Sequence, residues 1–179
     1  MDRDELARRV YEVSHLTGEF RLRSGATSTE YFDKYRFEAD PGLIRAVADA
    51  LVPLVPAGTE VLAGLELGGV PIATVIAQAT GLTVCFVRKE AKTYGTCQLA
   101  EGAAIDGKRL LVVEDVVTSG GQVVASCADL RVRGAVVEHA VCVIDREAGG
   151  ADALSAIGVE LHPLFTMAEL RTGADEGSP

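Results

Sequence analysis

The hydrophobic pattern along the chain changes in character near residue 60. Beyond that point, short unbroken apolar runs alternate with stretches whose apolar residues recur at helical spacing. Unbroken runs of this kind are typical of strands that are buried on both faces of a parallel sheet. The predicted strands are 60–65, 83–87, 109–114, 135–144 and 159–165. The predicted helices between them are 71–80, 121–132 and 151–157.

Repeated strand–helix–strand units predict an α/β fold, with a Rossmann-like central parallel sheet of about five strands and helices on both faces. Ligands of such folds bind at the carboxyl ends of the strands. The stretch 88–107 lacks apolar periodicity and is predicted to be a long loop. We place the α/β core at 41–171 and predict a polar tail at 172–179.

The first forty residues follow a different pattern. Apolar residues at helical spacing predict an amphipathic helix over 3–16, and short strands are predicted at 20–23 and 31–37. Asp40-Pro41 predicts the start of the first core helix, because Asp is a good N-cap and proline fits the first turn. The apolar positions of the N-terminal helix are Leu6, Val10, Val13 and Leu16.

Composition and charge narrow the functional class. A chain of 179 residues with 48% hydrophobic content fits one globular domain. Its net charge of −9 argues against a nucleic-acid partner, which needs a basic surface. The charged N-terminus lacks the apolar segment of a signal peptide, and glycines and a proline interrupt the uncharged stretch 67–87. We therefore expect a cytoplasmic protein that binds neither membrane nor nucleic acid.

The cysteines and histidines are expected to be structural. No Cys-x-x-Cys pair occurs, so buried reduced thiols are the expectation. The histidines fall in helix or strand patterns, and no metal-binding motif includes them. The residues concerned are Cys85, Cys97, Cys127, Cys142, His15, His139 and His162.

The stretch 109–121 carries the strongest functional signal. An apolar strand leads to two carboxylates, Glu114 and Asp115, and the small residues 118–121 then precede a predicted helix. A glycine-rich turn at a helix N-terminus offers free backbone N–H groups and a positive dipole end, which favour an anion. Carboxylates would repel a bare phosphate but can accept hydrogen bonds from neutral hydroxyls. A sugar phosphate offers both groups, although solvated acids before an ordinary turn would give the same pattern.

Other polar segments also fall at predicted strand ends. Gly68-Gly69 precedes a helix, so small residues there would let backbone amides approach a phosphate. The basic run 88–92 follows the next strand and could stabilise negative charge on a leaving group. Arg146 follows strand 135–144, where its guanidinium suits a carboxylate ligand.

Taken together, these segments resemble the orotate phosphoribosyltransferase family, within the type I phosphoribosyltransferases, over roughly residues 5–170. The similar segments are 18–33 (part of the family's N-terminal hood), 64–71 (the pyrophosphate loop), 88–102 (the mobile catalytic loop), 109–121 (the signature for phosphoribosyl pyrophosphate, PRPP) and 143–147 (an Asp-Arg element). Together with the first helix, the hood spans 1–40.

The resemblance implies roles for individual residues. The implied catalytic residues are Lys89, Lys92 and Asp115. The implied PRPP contacts are Gly68, Gly69, Arg88, Lys89, Lys92, Tyr94, Glu114, Asp115, Val116, Val117, Thr118, Ser119, Gly120, Gly121 and Gln122. The implied orotate contacts are Arg23, Tyr31, Phe32, Thr118 and Arg146. The chain departs from the family pattern in having Arg23 for the usual lysine, Gly68 where some relatives have lysine, and Tyr94 where some have histidine.

By the same resemblance, the reaction is transfer of the 5-phosphoribosyl group from PRPP to N1 of orotate, giving orotidine 5′-monophosphate and pyrophosphate in pyrimidine synthesis. Mg²⁺ would be carried by PRPP, with few or no direct protein ligands. The mobile loop 88–107 would serve the neighbouring subunit's site, which implies a homodimer. Two alternatives remain open: a phosphoribosyltransferase for a purine or another base, and a PRPP-sensing regulator without catalysis.

Overall fold

Five parallel strands and one antiparallel edge strand form the central sheet. The computed structural model describes residues 1–21, 25–90 and 99–175. The strands are β1 His15–Arg21, β2 Thr27–Phe32, β3 Val61–Leu65, β4 Thr83–Val87, β5 Ala100–Gly102, β6 Arg109–Val117, β7 Val136–Asp145 and β8 Glu160–Thr166. The helices are α1 Arg3–Ser14, α2 Tyr35–Glu38, α3 Pro41–Leu51, α4 Gly69–Thr80, α5 Gly121–Val132, α6 Gly150–Ser155 and α7 Met167–Asp175, with a 3₁₀ turn at Val52–Leu54.

The strand order is β5–β4–β3–β6–β7–β8, and every neighbouring pair except β4 and β5 is parallel. The predicted α/β fold with about five parallel strands is confirmed. The antiparallel strand β5 lies within 88–107, where the sequence predicts loop alone. Its three residues are too few to show an alternating pattern.

The N-terminal elements correct two predictions. Strands β1 and β2 form a separate two-stranded sheet, and β1 begins five residues before the predicted 20–23 because α1 ends at Ser14. The predicted strand 31–37 is right for Tyr31 and Phe32 and wrong beyond them, since β2 ends at Phe32 and α2 follows. Asp33 Oδ1 accepts a hydrogen bond from Tyr35 N at 3.2 Å, and this side-chain turn ends the extended stretch.

Helix α7 runs past Thr172, where the sequence predicts a polar tail. It begins with a capping box, in which Glu169 N donates to Thr166 Oγ1 at 3.1 Å and Thr166 N donates to Glu169 Oε2 at 2.7 Å. Leu170 is fully buried where α7 packs on α1. The apolar face of α7 therefore extends the core beyond the last strand.

Alternation along β6 divides the core into two layers. Leu111 and Val113 face a layer with α1, α3, α4 and α7, whereas Leu110 and Val112 face a layer with α5 and α6. Helices cover both faces of the sheet, so a ligand reaches it at the strand ends. Among the described residues, no helix is long and apolar enough to cross a bilayer.

Candidate active site

Three buried acidic side chains mark the carboxyl edge of the sheet. Glu114 (8% exposed) and Asp115 (0%) lie within β6, which continues three residues beyond its predicted end to Val117. Asp145 (8% exposed) ends β7 and lies beside Val117 in the strand register. Buried carboxylates are costly unless they are paired or protonated, so their surroundings decide what they can do.

Helix α2 and its N-cap residue supply partners that the sequence analysis missed. The Lys34 ammonium forms an ion pair with Asp115 Oδ2, and its own side chain is 32% exposed. Glu38, four residues further along, hydrogen-bonds to Asp115 as well. The i, i+4 spacing puts both side chains on one face of the helical turn. A correct prediction of helix in place of strand at 35–38 would have exposed this signal.

The cluster around Asp115 carries little net charge. Burial raises the pKa of Glu114 to about 9, and its hydrogen bond to Asp115 adds to the rise. Burial and the same carboxylate raise the pKa of Glu38 to about 8. Burial opposes ionisation of Asp115, but hydrogen bonds with Glu114 and Lys34 outweigh it and lower its pKa. At neutral pH these four groups therefore hold one carboxylate, on Asp115, balanced by the Lys34 ammonium.

The first glycine turn packs directly onto this cluster. A Cβ at Gly68 would overlap the carboxylate of Asp115, and one at Gly69 would overlap the carbonyl oxygen of Val113. Only glycine allows α4 to begin this close to β6. Glu66, just before the turn, accepts a hydrogen bond from the backbone N–H of Lys89. The structure thus brings the predicted pyrophosphate turn, the acidic pair and the start of the basic run together.

The second glycine turn leads from β6 into α5. Gly120 adopts a left-handed backbone conformation (φ 76°), and a Cβ there would meet Gly150 at 3.1 Å. Thr118, Ser119 and Gln122 are exposed, which leaves the N-terminus of a twelve-residue helix open to solvent. Its first backbone N–H groups have no partners within the helix and can donate to an anion.

A small cleft of about 130 Å³ joins the hood to the end of β7. Tyr31, Phe32 and Arg146, three of the predicted orotate contacts, line it together. Arg171 of α7 lines the same cleft and was not predicted, because no helix was predicted after the last strand, 159–165. The exposed Arg146 is held at its backbone N–H, which donates to Val117 O at 2.9 Å.

The basic segment is only partly within the described residues. Arg88 is half-buried and forms an ion pair with Glu101 at 4.0 Å, and Lys89 is exposed. The predicted site residues Arg23, Lys92 and Tyr94 lie outside the described residues.

Comparison with known proteins agrees with this architecture. A phosphoribosyl transferase domain model matches residues 37–157. An orotate phosphoribosyltransferase of a Nocardioides species is 50% identical over 173 residues, or 97% of each sequence. A crystal structure of Mycobacterium tuberculosis orotate phosphoribosyltransferase aligns with a TM-score of 0.86 at 32% identity, covering 95% of this chain and 99% of that one. A second structure of that enzyme, in complex with PRPP, aligns with a TM-score of 0.82 at 30% identity, covering 96% and 99%.

Fold, site and matched domain define a type I phosphoribosyltransferase. The identity extends over nearly the whole length of the curated relative. The chain belongs to the orotate phosphoribosyltransferase family.

Proposed function

We propose that this chain transfers the 5-phosphoribosyl group of PRPP to N1 of orotate, giving orotidine 5′-monophosphate and pyrophosphate for pyrimidine synthesis. The observation that carries the proposal is the juxtaposition, at one sheet edge, of the cluster around Asp115 and the cleft lined by Arg146. The cluster around Asp115 suits a sugar phosphate, and the cleft lined by Arg146 suits a flat ring that bears a carboxylate.

In this proposal the turn 118–122, exposed except at Gly120, holds the 5′-phosphate through backbone N–H groups. Glu114 and Asp115 face the ribose hydroxyls, and the turn at Gly68 and Gly69 receives the pyrophosphate. As the bond from C1 to pyrophosphate breaks, positive charge develops on the ribose ring and negative charge on the leaving group. The Asp115 carboxylate stabilises the positive charge on the ribose ring. The pyrophosphate leaving group is contacted by Arg88, Lys89, Lys92 and Tyr94.

Lys34 acts as a positioning residue in this scheme. Its ammonium keeps Asp115 ionised in a site where burial would otherwise favour the neutral acid. Protonated Glu114 and Glu38 complete the environment without adding charge. The ribose then meets one fixed carboxylate.

Orotate enters the cleft between the hood and β7. Tyr31 and Phe32 offer ring faces and edges, and Arg146 pairs with the orotate carboxylate. Thr118 and Arg23 are proposed as further contacts. Orotate N1 then attacks C1 of the ribose as pyrophosphate departs, without a protein nucleophile.

Mg²⁺ is proposed to enter with PRPP. A hard divalent cation prefers ionised oxygen ligands. Burial keeps Glu114 protonated, and Lys34 pairs with Asp115, so neither side chain is a free ligand at neutral pH. These donors fit an ion that is held by the phosphates, where it would neutralise charge on the leaving group.

The proposed assembly is a cytoplasmic homodimer in which the loop 88–107 of one subunit completes the site of the other. Mixing two inactive variants, Lys92→Ala and Asp115→Asn, tests this arrangement. A heterodimer has one site with an intact core and an intact loop, so activity should return to about one quarter of the wild-type value after random exchange. If labelled subunits exchange and activity stays absent, the shared site is ruled out.

The activity itself is tested by the loss of orotate absorbance on addition of Mg²⁺ and PRPP, with hypoxanthine, adenine and uracil as parallel substrates. Turnover of orotate, and of none of the other three bases, supports the proposal. Preference for a purine or for uracil would assign another base, and PRPP binding without turnover of any base would indicate a regulator.

A further inference from the structure

At the amino ends of β7 and β8, away from the candidate active site, three side chains of metal-ligating type converge. His139 belongs to β7, and Glu160 and His162 belong to β8. The strand register places His139 beside Glu160, and the two β8 residues share a face because they are two positions apart. One ligand atom from each residue lies within 4.8 Å of the other two.

The spacing of these atoms is close to that of a tetrahedral metal centre. His139 Nδ1 and His162 Nε2 are 3.2 Å apart. Zinc–nitrogen bonds of about 2.0–2.1 Å at a tetrahedral angle separate two ligand nitrogens by about 3.3–3.4 Å. Glu160 Oε2 lies 3.6 Å from His139 Nδ1 and 3.8 Å from His162 Nε2, so it needs to move by only a few tenths of an ångström.

The exposure of the three residues suits such a site. The Glu160 side chain is 67% exposed and free to adjust, whereas the two imidazoles are 35% and 25% exposed and held by their strands. Solvent can reach the cluster, which provides an entry path for an ion and room for a water ligand. Two imidazoles with one carboxylate form a ligand set that zinc and its neighbours in the first transition series prefer.

We propose that His139, Glu160 and His162 form a binding site for a divalent transition metal ion, with zinc the best match and water in the fourth position. The site is separate from the proposed active site. Six residues of extended chain, about 20 Å, separate His139 from Asp145 along β7. A metal here would join the edge strand β8 to β7.

The proposal is tested on metal-free full-length protein with two probes. Titration with Zn²⁺ in a calorimeter should show one strong site per chain. Titration with Co²⁺ should give visible absorption bands of four-coordinate intensity. His139→Gln and His162→Gln should each weaken binding by about tenfold or more, and the double variant should abolish both signals.

Matched controls separate this site from general metal uptake. Glu138→Gln removes a neighbouring exposed acid on β7, and His15→Gln removes a histidine that lies 3.5 Å from a single carboxylate, Glu30. Both variants should bind Zn²⁺ as the parent does. Thermal unfolding with and without Zn²⁺ provides a second readout, because an ion that binds only the folded state raises the Tm of the parent but not of the double variant.

Three outcomes would overturn the proposal. The first is no Zn²⁺ binding by the parent. The second is binding that survives in the folded double variant. The third is binding that is lost in Asp115→Asn instead, which would place the ion at the other end of the sheet. In each case the two imidazoles would be a hydrogen-bonded pair without a metal.

Discussion

The two halves of the candidate active site are built in different ways. The half proposed for PRPP lies within the core, where Asp115 is fully buried and is surrounded by groups whose pKa values are shifted. The half proposed for orotate is an open cleft whose main cation, Arg146, is exposed. The first half is thus fixed by packing before a ligand arrives, whereas the second is a set of side chains contributed by separate elements.

This difference predicts how each half responds to mutation. In a buried and preorganised site, removal of one charge affects the transition state, because no water replaces it. In an open cleft, removal of a cation costs mainly ground-state affinity for the ligand that it contacts. Substitutions in the two halves should therefore divide into effects on kcat and effects on KM.

The largest effect is expected for Asp115→Asn. Loss of the carboxylate should lower kcat by about 10²–10³-fold, comparable with the loss of one preorganised group in other electrostatic sites. Steady-state kinetics with both substrates measure this effect. Asp129→Asn, on the exposed face of α5, is the matched control and should leave kcat unchanged. A kcat within about threefold of the parent value in a folded Asp115→Asn protein would contradict the proposed ribose role.

Arg146→Ala should act on the other half. Loss of a carboxylate partner costs on the order of 2–5 kcal/mol when the pair is desolvated, and the exposed setting places this site near 2 kcal/mol. The KM for orotate should therefore rise by roughly 30-fold, with little change in the KM for PRPP. Arg133→Ala, at the C-cap of α5, is the control for loss of an exposed arginine. Equal increases in both KM values would mean that Arg146 is not the base-site cation.

The same contrast explains what the sequence could predict. The PRPP half consists of contiguous stretches, so the apolar run, the two acids and the glycines of 109–121 identify it directly. The parallel sheet follows from repeated strand–helix units, whose short-range pattern is strong. In both cases the pattern that carries the prediction lies within a short stretch of sequence.

The site residues that the sequence does not predict depend on contacts between residues that are distant in the chain. Lys34 pairs with Asp115, and Arg171 lines the same cleft as Tyr31, only after the chain has folded. Two local signals mark the helices concerned: the side-chain turn at Asp33, which ends β2, and the capping box at Thr166, which starts α7. The first signal places a helix directly after Lys34, and the second places a helix that carries Arg171.

Lys34→Met is expected to change activity less than Asp115→Asn or Arg146→Ala does. Loss of the ammonium removes a hydrogen bond that lowers the pKa of Asp115, so the carboxylate should protonate at higher pH. The acidic limb of the kcat/KM profile should therefore move to higher pH, while the rate at its plateau changes little. Lys34→Arg should restore the limb. An unchanged profile in Lys34→Met would show that Lys34 does not control the ionisation of Asp115.

The smallest effect concerns stability, and it is specific to the buried half. The pKa of Glu38 is about 8 in the folded protein, against an ordinary value of 4.5, because burial and Asp115 oppose its ionisation. Between these two pH values the folded state holds a proton that the unfolded state has released. The free energy of unfolding should therefore fall as pH rises from about 4.5 to 8. Above that pH the contribution of Glu38 to the free energy of unfolding should stay constant.

Glu38→Gln keeps the shape of the side chain but cannot ionise, so the fall in stability between pH 5 and pH 8 should be smaller in the variant than in the parent. Glu114 still titrates in the variant, which leaves part of the slope. Urea unfolding at both pH values, in the parent and the variant, measures the difference. Glu12→Gln on the exposed face of α1 is the control, and its slope should match that of the parent. If Glu38→Gln loses as much stability as the parent over this range, Glu38 is ionised in the folded protein, and the cluster around Asp115 carries a second negative charge.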